Sequence, residues 1–237
     1  MKSKKNISVD LSRPSFYSEN DSTLHVYKRR LTYKHYFRLL KKYFKKNQKI
    51  KILDIGSGPG FFLKFAGENF NNSKLFGIEY DNRLVEISKT RAKYADIKEG
   101  NAEKFSFDCK FEIIASFQVI EHLYNPQKMI QNVKKHLTNN GIFLFTTPNL
   151  GGNGAKILNK KWSGYRDDHV ALKSKKEWEK ILYDNGFIPL YSGSTFFSGI
   201  PLLNKFPLGI VNWSLLFLFG SLKWNYGEAY VGLYKLK

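Results

Sequence analysis

Residues 51–65 read KILDIGSGPGFFLKF, with Gly56, Gly58 and Gly60 between two apolar segments. The first segment predicts a buried strand and the second a helix, so the glycines fall at the turn between them. Glycine costs backbone entropy on folding, but it permits left-handed dihedral angles and close approach of a ligand to the main chain. The stretch therefore predicts a ligand-binding turn at the carboxyl end of a strand.

Strand-like and helix-like segments alternate from residue 49 to residue 148. This alternation predicts βαβ units, and therefore a doubly wound α/β fold with a mostly parallel sheet and right-handed crossovers. In such sheets, ligands bind beyond the carboxyl ends of the strands. The predicted strands are KIKILDIG (49–56), KLFGIEYD (74–81), DIKEGNA (96–102), FEIIASF (111–117) and GIFLFTTP (141–148), with helices at 61–70, 81–95 and 126–137.

The segments on either side of this alternation have other patterns. Residues 24–44 place apolar residues at helical spacing among basic ones, which predicts an amphipathic helix. We expect an N-terminal helical extension over residues 1–48, followed by one domain over 49–237. Ser174 and Glu177 have capping-box spacing, and Gly186 is suited to end that helix. The final segment, GEAYVGLYKLK (227–237), predicts a strand at an antiparallel edge of the sheet.

Two segments stand out for their composition. Residues 149–173 are rich in glycine, polar and aromatic residues, which is typical of a long loop or lid that holds an acceptor. Residues 208–222, LGIVNWSLLFLFGSL, form the most apolar part of an insertion at about 196–224. They are fewer than the roughly 20 residues that a spanning helix needs. We expect either a helix that is buried or packs against a twin subunit in a homodimer, or a surface that touches a membrane.

The formal net charge of +19 comes from 32 lysines and 7 arginines against 20 acidic residues, and the lysines are dispersed along the chain. Because arginine is preferred for bidentate phosphate and base contacts, this pattern favours a solvated basic surface over a nucleic-acid interface. The single Cys109 excludes an internal disulfide and a cysteine-based zinc site. The basic N-terminus is not followed by an apolar stretch, so we expect no signal peptide and a cytoplasmic location, with peripheral membrane contact as a further hypothesis.

An acidic residue follows the glycine turn at the end of the second predicted strand. Glu79 can accept hydrogen bonds from both hydroxyls of a ribose there, and its charge would repel a 2′-phosphate. The GxGxG spacing is also shorter than the GxGxxG of dinucleotide-binding proteins. Together these features predict a nucleoside ligand without a 2′-phosphate.

Five segments, ILDIGSGPG, GIEYD, EGNAEKF, FEIIASFQVIEHL and LTNNGIFLFTTPN, resemble in order the motifs of class I S-adenosylmethionine (SAM)-dependent methyltransferases. The resemblance covers about residues 50–150, and the remainder more loosely. It implies a seven-stranded sheet with an antiparallel last strand and SAM as cofactor. It also assigns cofactor contacts to Asp54, Gly56, Ser57, Gly58, Gly60, Glu79, Tyr80, Asn101, Ala102, Phe117 and Gln118.

In that assignment, Asp54 and the glycine turn hold the methionine part, and Glu79 the ribose. Asn101 and Ala102 lie at the adenine, where many relatives have aspartate. Asn101 can still accept a hydrogen bond through its carbonyl oxygen. Phe117 and Gln118 would line the cofactor near its sulfur, although ordinary packing at the strand end is the alternative.

The segment QVIEHL (118–123) is similar to a stretch of ubiquinone-biosynthesis O-methyltransferases in which two glutamates and a histidine bind a divalent metal. Gln118 replaces the first glutamate, which leaves Glu121 and His122. Two ligands are few for a hard cation that prefers several oxygens. We therefore expect no metal and a hydrogen-bonded structural pair.

The lid contains the remaining candidates for catalysis. His169 is the first candidate for a general base, since histidine is the common choice for a hydroxyl acceptor, and His122 is the second. Asp167 or Asp168 would orient His169 or bind hydroxyls of the substrate. Trp162 and Tyr165 would either stack on a sugar or quinol ring or pack the lid onto the domain, and Arg166 would pair with a phosphate.

The sequence as a whole predicts SAM-dependent methyl transfer to a hydroxyl of a small-molecule, sugar or glycolipid-like acceptor. An RNA methyltransferase is the alternative that the basic charge favours. No Asn/Asp-Pro-Pro-Tyr tetrapeptide is present, which argues against methylation of amino groups on bases. A non-catalytic partner subunit with a cofactor fold is the alternative outside the enzymes, and the intact glycine turn with Glu79 argues against it.

Overall fold

A seven-stranded sheet forms the centre of the structure, a computed structural model that describes residues 23–196 and 207–237. The strands are β1 (Ile50–Ile55), β2 (Ser73–Glu79), β3 (Ala95–Glu99), β4 (Phe111–Phe117), β5 (Leu137–Pro148), β6 (Phe187–Ser194) and β7 (Ala229–Leu236). The helices are α1 (Thr23–Leu40), α2 (Phe61–Asn69), α3 (Asn82–Arg91), α4 (Pro126–His136), α5 (Asn153–Leu158), α6 (Lys175–Asp184) and α7 (Leu208–Phe219).

The strand order is β3-β2-β1-β4-β5-β7-β6. The first five strands are parallel, while β7 runs antiparallel to both of its neighbours, β5 and β6. This arrangement confirms the predicted α/β class, the mostly parallel sheet and the antiparallel last strand. Because the order reverses on either side of β1 and β4, the carboxyl ends of these two strands form the crevice where ligands bind in such sheets.

The prediction that the last strand lies at the edge of the sheet is wrong, because β7 pairs with β5 on one side and β6 on the other. The edge strand on this side of the sheet is β6, in which most side chains are half-buried or exposed. In β7, the five consecutive residues 230–234 are all buried. A strand buried on both faces needs hydrogen-bond partners on both sides, so the more apolar β7 takes the interior position.

Each face of the sheet is covered by its own apolar cluster. Helices α1, α2 and α3 pack on one face, together with Ile52 of β1 and Leu144 of β5. Helices α4 and α6 pack on the other face of the sheet, together with Leu53, which follows Ile52 in β1, and Phe143, which precedes Leu144 in β5. Successive strand residues point to opposite faces, so the continuous apolar runs in β1, β4 and β5 serve both clusters.

Helix α1 belongs to the same apolar cluster as α2. Tyr36, Phe37 and Leu40 are buried there, and the ring of Phe37 stacks on Phe62 of α2, with centroids 5.3 Å apart and planes 2° from parallel. The predicted helix is therefore present, although it ends at Leu40 and continues as a turn to residue 44. The division of the chain at residue 48 stays a prediction.

The lid, residues 149–173, contains α5 and a 3₁₀ turn at Asn159–Lys161. Trp162 is only 2 % exposed, and its indole nitrogen donates to the buried carboxylate of Glu228. Its side chain therefore packs the lid onto the domain, the second of the two predicted alternatives. The helix that follows, α6, has the capping box predicted from Ser174 and Glu177.

The apolar segment forms α7, and its described side chains are mainly exposed. For these residues, the prediction of a buried helix is wrong. Residues 197–206 of the predicted insertion lie outside the described residues. In the part of the chain that the structure describes, no helix is both long and apolar enough to cross a bilayer.

A partly buried hydrogen-bond chain joins α1 to the segment that follows α7. Arg38 donates to Nδ1 of His35 at 2.9 Å, while Nε2 of His35 lies 2.8 Å from the Ser221 hydroxyl. Tyr191 of β6 contacts the same hydroxyl at 2.7 Å. Because a guanidinium only donates, Nδ1 of His35 accepts, so the ring is neutral and donates from Nε2. Burial and the nearby cations Arg38 and Lys42 lower the pKa of His35 to about 4.

This chain predicts a pH-dependent stability. Between pH 6.5 and 4 the unfolded chain binds a proton at His35 and the folded chain does not, so the free energy of unfolding falls as the pH falls. The contribution is complete above pH 6.5, and about 3 kcal/mol is lost by pH 4. Urea unfolding of wild type and His35→Gln at pH 7, 5.5 and 4 measures the difference in slope. We expect a flatter pH dependence in the variant. The same slope in both proteins contradicts the prediction, and His136→Gln, at another buried histidine, is the control.

Candidate active site

The turn between β1 and α2 requires its glycines. Gly56, Gly58 and Gly60 have φ of 71°, 51° and 81°, the left-handed region that side chains disfavour. A Cβ atom at Gly56 would lie 2.3 Å from the side chain of Val119, and one at Gly60 would lie 2.9 Å from that of Ser88. The turn is therefore close-packed against the segments after β4 and in α3, with no room for side chains at these two positions.

The carboxylate of Glu79 holds this turn to the end of β2. One oxygen accepts from the amide of Gly58 at 2.8 Å, and the other accepts from the amides of Tyr80 and Asp81 at 2.8 and 3.1 Å. A carboxylate offers about four acceptor positions, so three described contacts leave one for a hydroxyl. Glu79 thus orders the turn from the end of β2 and keeps one acceptor position for a ligand.

Three buried oxygens near the turn have no hydrogen-bond partner among the described residues: Oδ1 of Asp54 and the hydroxyls of Ser57 and Ser116. Burial, and then the charge of Glu79, raise the pKa of Asp54 well above its ordinary range. Buried polar groups are normally paired, so these atoms indicate a polar ligand. A cationic ligand group beside Asp54 would favour its ionised form, which fits the amine that the implied cofactor carries.

At the predicted adenine position, Asn101 is exposed and its side-chain oxygen accepts from the amide of Glu103 at 2.7 Å. An amide oxygen has two lone pairs, so it can still accept a second hydrogen bond from a ligand. Ala102 is half-buried and packs against the cluster on the second face. These contacts leave the predicted roles of both residues open.

Phe117 and Gln118 leave the end of β4 in different environments. The ring of Phe117 lies 4.8 Å from that of Phe62 and is partly buried. Gln118 has φ of 56°, which is uncommon for a residue other than glycine. Its amide donates to the Thr146 carbonyl at 2.9 Å, and its side chain donates to the Thr146 hydroxyl at 3.2 Å. Such strained positions often occur at functional sites, where the surrounding structure holds them.

Helix α1 supplies two tyrosines that sequence reasoning missed. The rings of Tyr33 and Tyr36 lie 5.2 and 5.1 Å from Phe117. Burial raises the pKa of Tyr36, and the hydrogen bond of its hydroxyl with Thr146 offsets part of that effect. The two tyrosines therefore wall one side of the strand ends. Their spacing of three residues on the apolar side of α1 was the signal in the sequence.

Glu121, His122 and His169 come together, with one donor atom of each within 4.8 Å of the others. Glu121 is fully buried; one oxygen accepts from the Thr147 hydroxyl at 3.1 Å, and the other has no partner among the described residues. Burial raises the pKa of Glu121 to about 8. Burial therefore favours the neutral form of this carboxyl group.

The two histidines of this cluster meet edge to face, with ring centroids 4.7 Å apart. Nδ1 of His122 lies 3.1 Å from the Asp168 carbonyl, and Nδ1 of His169 lies 2.8 Å from the Gly164 carbonyl. A carbonyl only accepts, so each Nδ1 carries the hydrogen and each Nε2 keeps its lone pair. Burial lowers the pKa of both rings, which keeps them neutral at pH 7.

Asp168 does not orient His169, the first of its two predicted roles, while binding of substrate hydroxyls by Asp167 or Asp168 stays a prediction. Its carboxylate accepts both hydrogen bonds of the Arg166 guanidinium fork, at 2.9 and 2.8 Å, and lies 3.4 Å from Nδ1 of His122. The predicted partner, His169, is instead oriented by a backbone carbonyl. Asp168 thus positions His122, the second candidate base.

A family model described as a methyltransferase domain matches residues 27–191, which is 165 of the 237 residues. The match includes most of α1, the glycine turn and the lid. The chain belongs to the class I SAM-dependent methyltransferases. SAM is therefore the cofactor of its family, as the sequence motifs implied.

Relatives of this methyltransferase share only part of their length with it. The ubiquinone biosynthesis O-methyltransferase of Rickettsia akari is 29 % identical over 106 residues, which cover 43 % of this chain and 41 % of the relative. The malonyl-[acyl-carrier protein] O-methyltransferase of Bacillus cereus is 24 % identical over 111 residues, which cover 46 % and 41 %. The matches thus span about two fifths of the length of each relative.

A solved structure matches nearly the whole fold. The plantazolicin methyltransferase BpumL, in complex with S-adenosylhomocysteine (SAH), has a TM-score of 0.63 and 19 % identity, and the match covers 90 % of this chain and 85 % of that one. At this identity, the similarity establishes the fold alone. It confirms the class I methyltransferase architecture that the strand order shows.

The methyltransferase could hold a metal ion at the Glu121, His122 and His169 cluster. The prediction of no metal was based on two donors, and the lid adds His169 as a third. Hydrogen bonds from Nδ1 to backbone carbonyls are the usual support of metal-binding histidines. Two imidazoles and a carboxylate suit a transition metal such as Zn²⁺ better than Mg²⁺.

A cavity of about 540 Å³ lies at the opposite ends of the strands, where β4 and β5 begin. Lys110, Glu112 and Thr138 are among the residues that line it. None of the predicted site residues contributes to its lining. The candidate active site is therefore defined by the carboxyl ends of the strands and not by this cavity.

The geometry at Glu79 predicts the effect of its removal. Glu79→Ala takes away a charged acceptor worth roughly 1.5–3 kcal/mol, so the dissociation constant of SAM should rise at least about tenfold. Calorimetric titration of SAM and SAH measures this, with NAD as a ligand that should not bind. Glu99→Ala is the matched control, since Glu99 lies beside Glu79 on β3 and is exposed. Unchanged SAM affinity in Glu79→Ala would contradict the assignment.

Proposed function

We propose that this methyltransferase transfers a methyl group from SAM to a hydroxyl group of a small-molecule, sugar or lipid-linked acceptor. The observation that carries the proposal is the pair of neutral imidazoles beside the buried Glu121. A hydroxyl must lose its proton as it is methylated, and a neutral imidazole is suited to accept it. The O-methyltransferase names of relatives that share two fifths of their length support the same acceptor class.

The residues around the glycine turn would hold the cofactor. SAM, when bound, supplies a methyl group activated by a sulfonium. Asp54 would pair with the amine of the cofactor, the turn would lie along its methionine part, and Glu79 would accept from the ribose. The remaining predicted contacts are Ser57, Tyr80, Asn101, Ala102, Phe117 and Gln118.

His169 would act as the general base through Nε2. Its Nδ1 hydrogen bond to the Gly164 carbonyl orients the ring and selects the tautomer that leaves Nε2 unprotonated. His122, held by Asp168, is the second candidate. Since burial favours the neutral form of Glu121, it adds little negative charge that would raise the pKa of the imidazoles.

The walls of the site favour an acceptor with an apolar or aromatic part. Tyr33, Tyr36 and Phe117 form an aromatic surface beside the end of β4. Such rings exclude water from the reacting groups and pack against flat or aliphatic ligand parts. Tyr165, half-exposed in the lid, would contact the acceptor from the other side.

Replacing the proposed base should slow the reaction without affecting cofactor binding. We expect His169→Gln to lower kcat/KM by about 10²- to 10⁴-fold, the usual contribution of a general base. In the wild type, kcat/KM should rise with pH through a pKa below 6.5, because burial keeps the base neutral at lower pH. SAH release with a panel of catechols, sugars and polyprenylated phenols measures both, with RNA as the competing acceptor.

His136→Gln is the matched control for that experiment, since His136 is buried beside Phe105 and Phe107. Its kcat/KM should stay within about threefold of wild type, because it touches neither the cluster nor the lid. Equal rates in His169→Gln and wild type would exclude His169 as the base. Turnover of RNA alone would exclude the proposed acceptor class.

A metal-assisted reaction is the second candidate, which the three-donor geometry favours. A divalent cation held by Glu121, His122 and His169 would lower the pKa of an acceptor hydroxyl directly. Metal analysis of the purified protein and zinc titration after dialysis against EDTA distinguish the two candidates. One zinc per chain, lost in both His169→Gln and Glu121→Gln, would support the metal. Full activity of the metal-free protein would support the histidine base.

A further inference from the structure

The most unusual surface of this protein is α7. Its sequence, LGIVNWSLLFLF, contains no charged residue, yet Ile210, Val211 and Leu218 are 59, 58 and 63 % exposed. Leu208 and Phe219 at its two ends are exposed as well. Large apolar side chains clustered on one exposed helix indicate a surface that binds a partner.

Helix α7 is fixed to α1 at its carboxyl end. The guanidinium of Arg38 donates to the carbonyls of Leu218 and Phe219 at 3.2 and 3.1 Å. Gly220, with φ of 69°, follows the helix, and a Cβ atom there would lie 2.3 Å from His35 of α1. The apolar helix is thus held on the fold beside the carboxyl end of α1.

The two chain segments that contain α1 and α7 carry one sign of charge, although α2 brings Glu68 into an ion pair with Arg30 of α1 at 2.8 Å. Residues 22–53 contain eleven lysines and arginines and no acidic residue, and residues 185–227 contain two lysines and no acidic residue. Six exposed cations form what is called here the basic side of α1: Lys34 and Arg38 in the helix, and Lys41, Lys42, Lys45 and Lys46 just after it. Among the described residues, none of these six is in an ion pair. Exposed cations that form no ion pair, next to an apolar helix, complement a surface that is both anionic and apolar.

We propose that α7 and the basic side of α1 dock this protein on anionic phospholipid bilayers. The twelve residues of α7 are about 18 Å long, well short of the roughly 30 Å hydrocarbon core, so the helix lies in the interface. Its apolar side chains enter the boundary of the acyl chains, and the cations of the basic side contact the lipid phosphates. Tyr226, which lies seven residues after the end of α7 and is exposed, is suited to the level of the lipid headgroups.

Docking in this way would bring the candidate active site close to the bilayer. Helix α1 carries Lys34 and Arg38 on its exposed side, with four more cations just after it, and carries Tyr33 and Tyr36 on the side that walls the strand ends. A lipid-linked acceptor could then reach the site from the membrane. The docking inference itself does not depend on the proposed methyl transfer, since vesicle binding is measured without cofactor.

Sedimentation of the full chain with sucrose-loaded vesicles tests the proposal. We expect binding to vesicles of phosphatidylcholine with 30 % phosphatidylglycerol, and at least about tenfold weaker binding to phosphatidylcholine alone or at 0.5 M NaCl. Ile210→Glu with Leu218→Glu should weaken binding to the anionic vesicles at least about tenfold. Tyr94→Glu, at an exposed aromatic residue outside α1 and α7, should not.

A charge-matched pair of triple variants tests the basic side. Lys34→Glu, Lys41→Glu and Lys45→Glu together should abolish the preference for anionic vesicles. Lys104→Glu, Lys135→Glu and Lys176→Glu make the same change in net charge at exposed positions elsewhere and should retain most binding. Equal losses in the two triple variants would show that net charge alone drives binding, and would overturn the docking surface.

Two other results would assign this surface to a different partner. The first is a protein that binds neither kind of vesicle and sediments as a dimer. If the Ile210→Glu and Leu218→Glu double variant is then monomeric, α7 binds a second copy of the chain. The second is a protein that binds RNA and no vesicles. If the variant with Lys34→Glu, Lys41→Glu and Lys45→Glu loses RNA binding, the basic side is a nucleic-acid surface. Either result overturns the lipid proposal.

Discussion

The hydrogen bonds from three backbone amides to the carboxylate of Glu79 are the constraint on which the candidate site depends. They join the turn after β1 to the end of β2, and the parallel register of these strands brings the two together. The turn itself exists only because Gly56 and Gly60 accept left-handed dihedral angles where no Cβ atom would fit. Burial, and then the charge of the same carboxylate, raise the pKa of Asp54.

Helix α1 connects the site to the protein surface. Its inner side packs on α2 and places Tyr36 against Phe117 and Thr146, while Arg38 and His35 hold the end of α7. One helix thus contributes to the apolar core, the wall of the candidate active site and the basic surface. A shift in the position of α1 would affect all three. Docking of this helix on a bilayer would therefore be physically coupled to the candidate active site.

Backbone contacts of the lid complete the cluster of Glu121, His122 and His169. The amide of Ala171 donates to the Glu121 carbonyl at 2.9 Å, and Trp162 anchors the lid to Glu228. These contacts place His169 beside His122, although the two are 47 positions apart in the chain. Backbone carbonyls then select the tautomer of both rings, and burial keeps them neutral. The chemistry available at the cluster therefore depends on how the lid is seated.

The sequence by itself determined the α/β class, the glycine turn, Glu79 at the end of β2 and the capped α6, because dihedral preference and hydrophobic period act over a few residues. Only the tertiary structure decided which strand lies at the edge, that α7 is exposed, that Tyr36 reaches Thr146, that Asp168 holds His122, and that His169 completes a three-donor cluster. Each of these features depends on contacts between residues distant in the chain. Local periodicity says which face of an element is apolar, but only packing decides what covers that face.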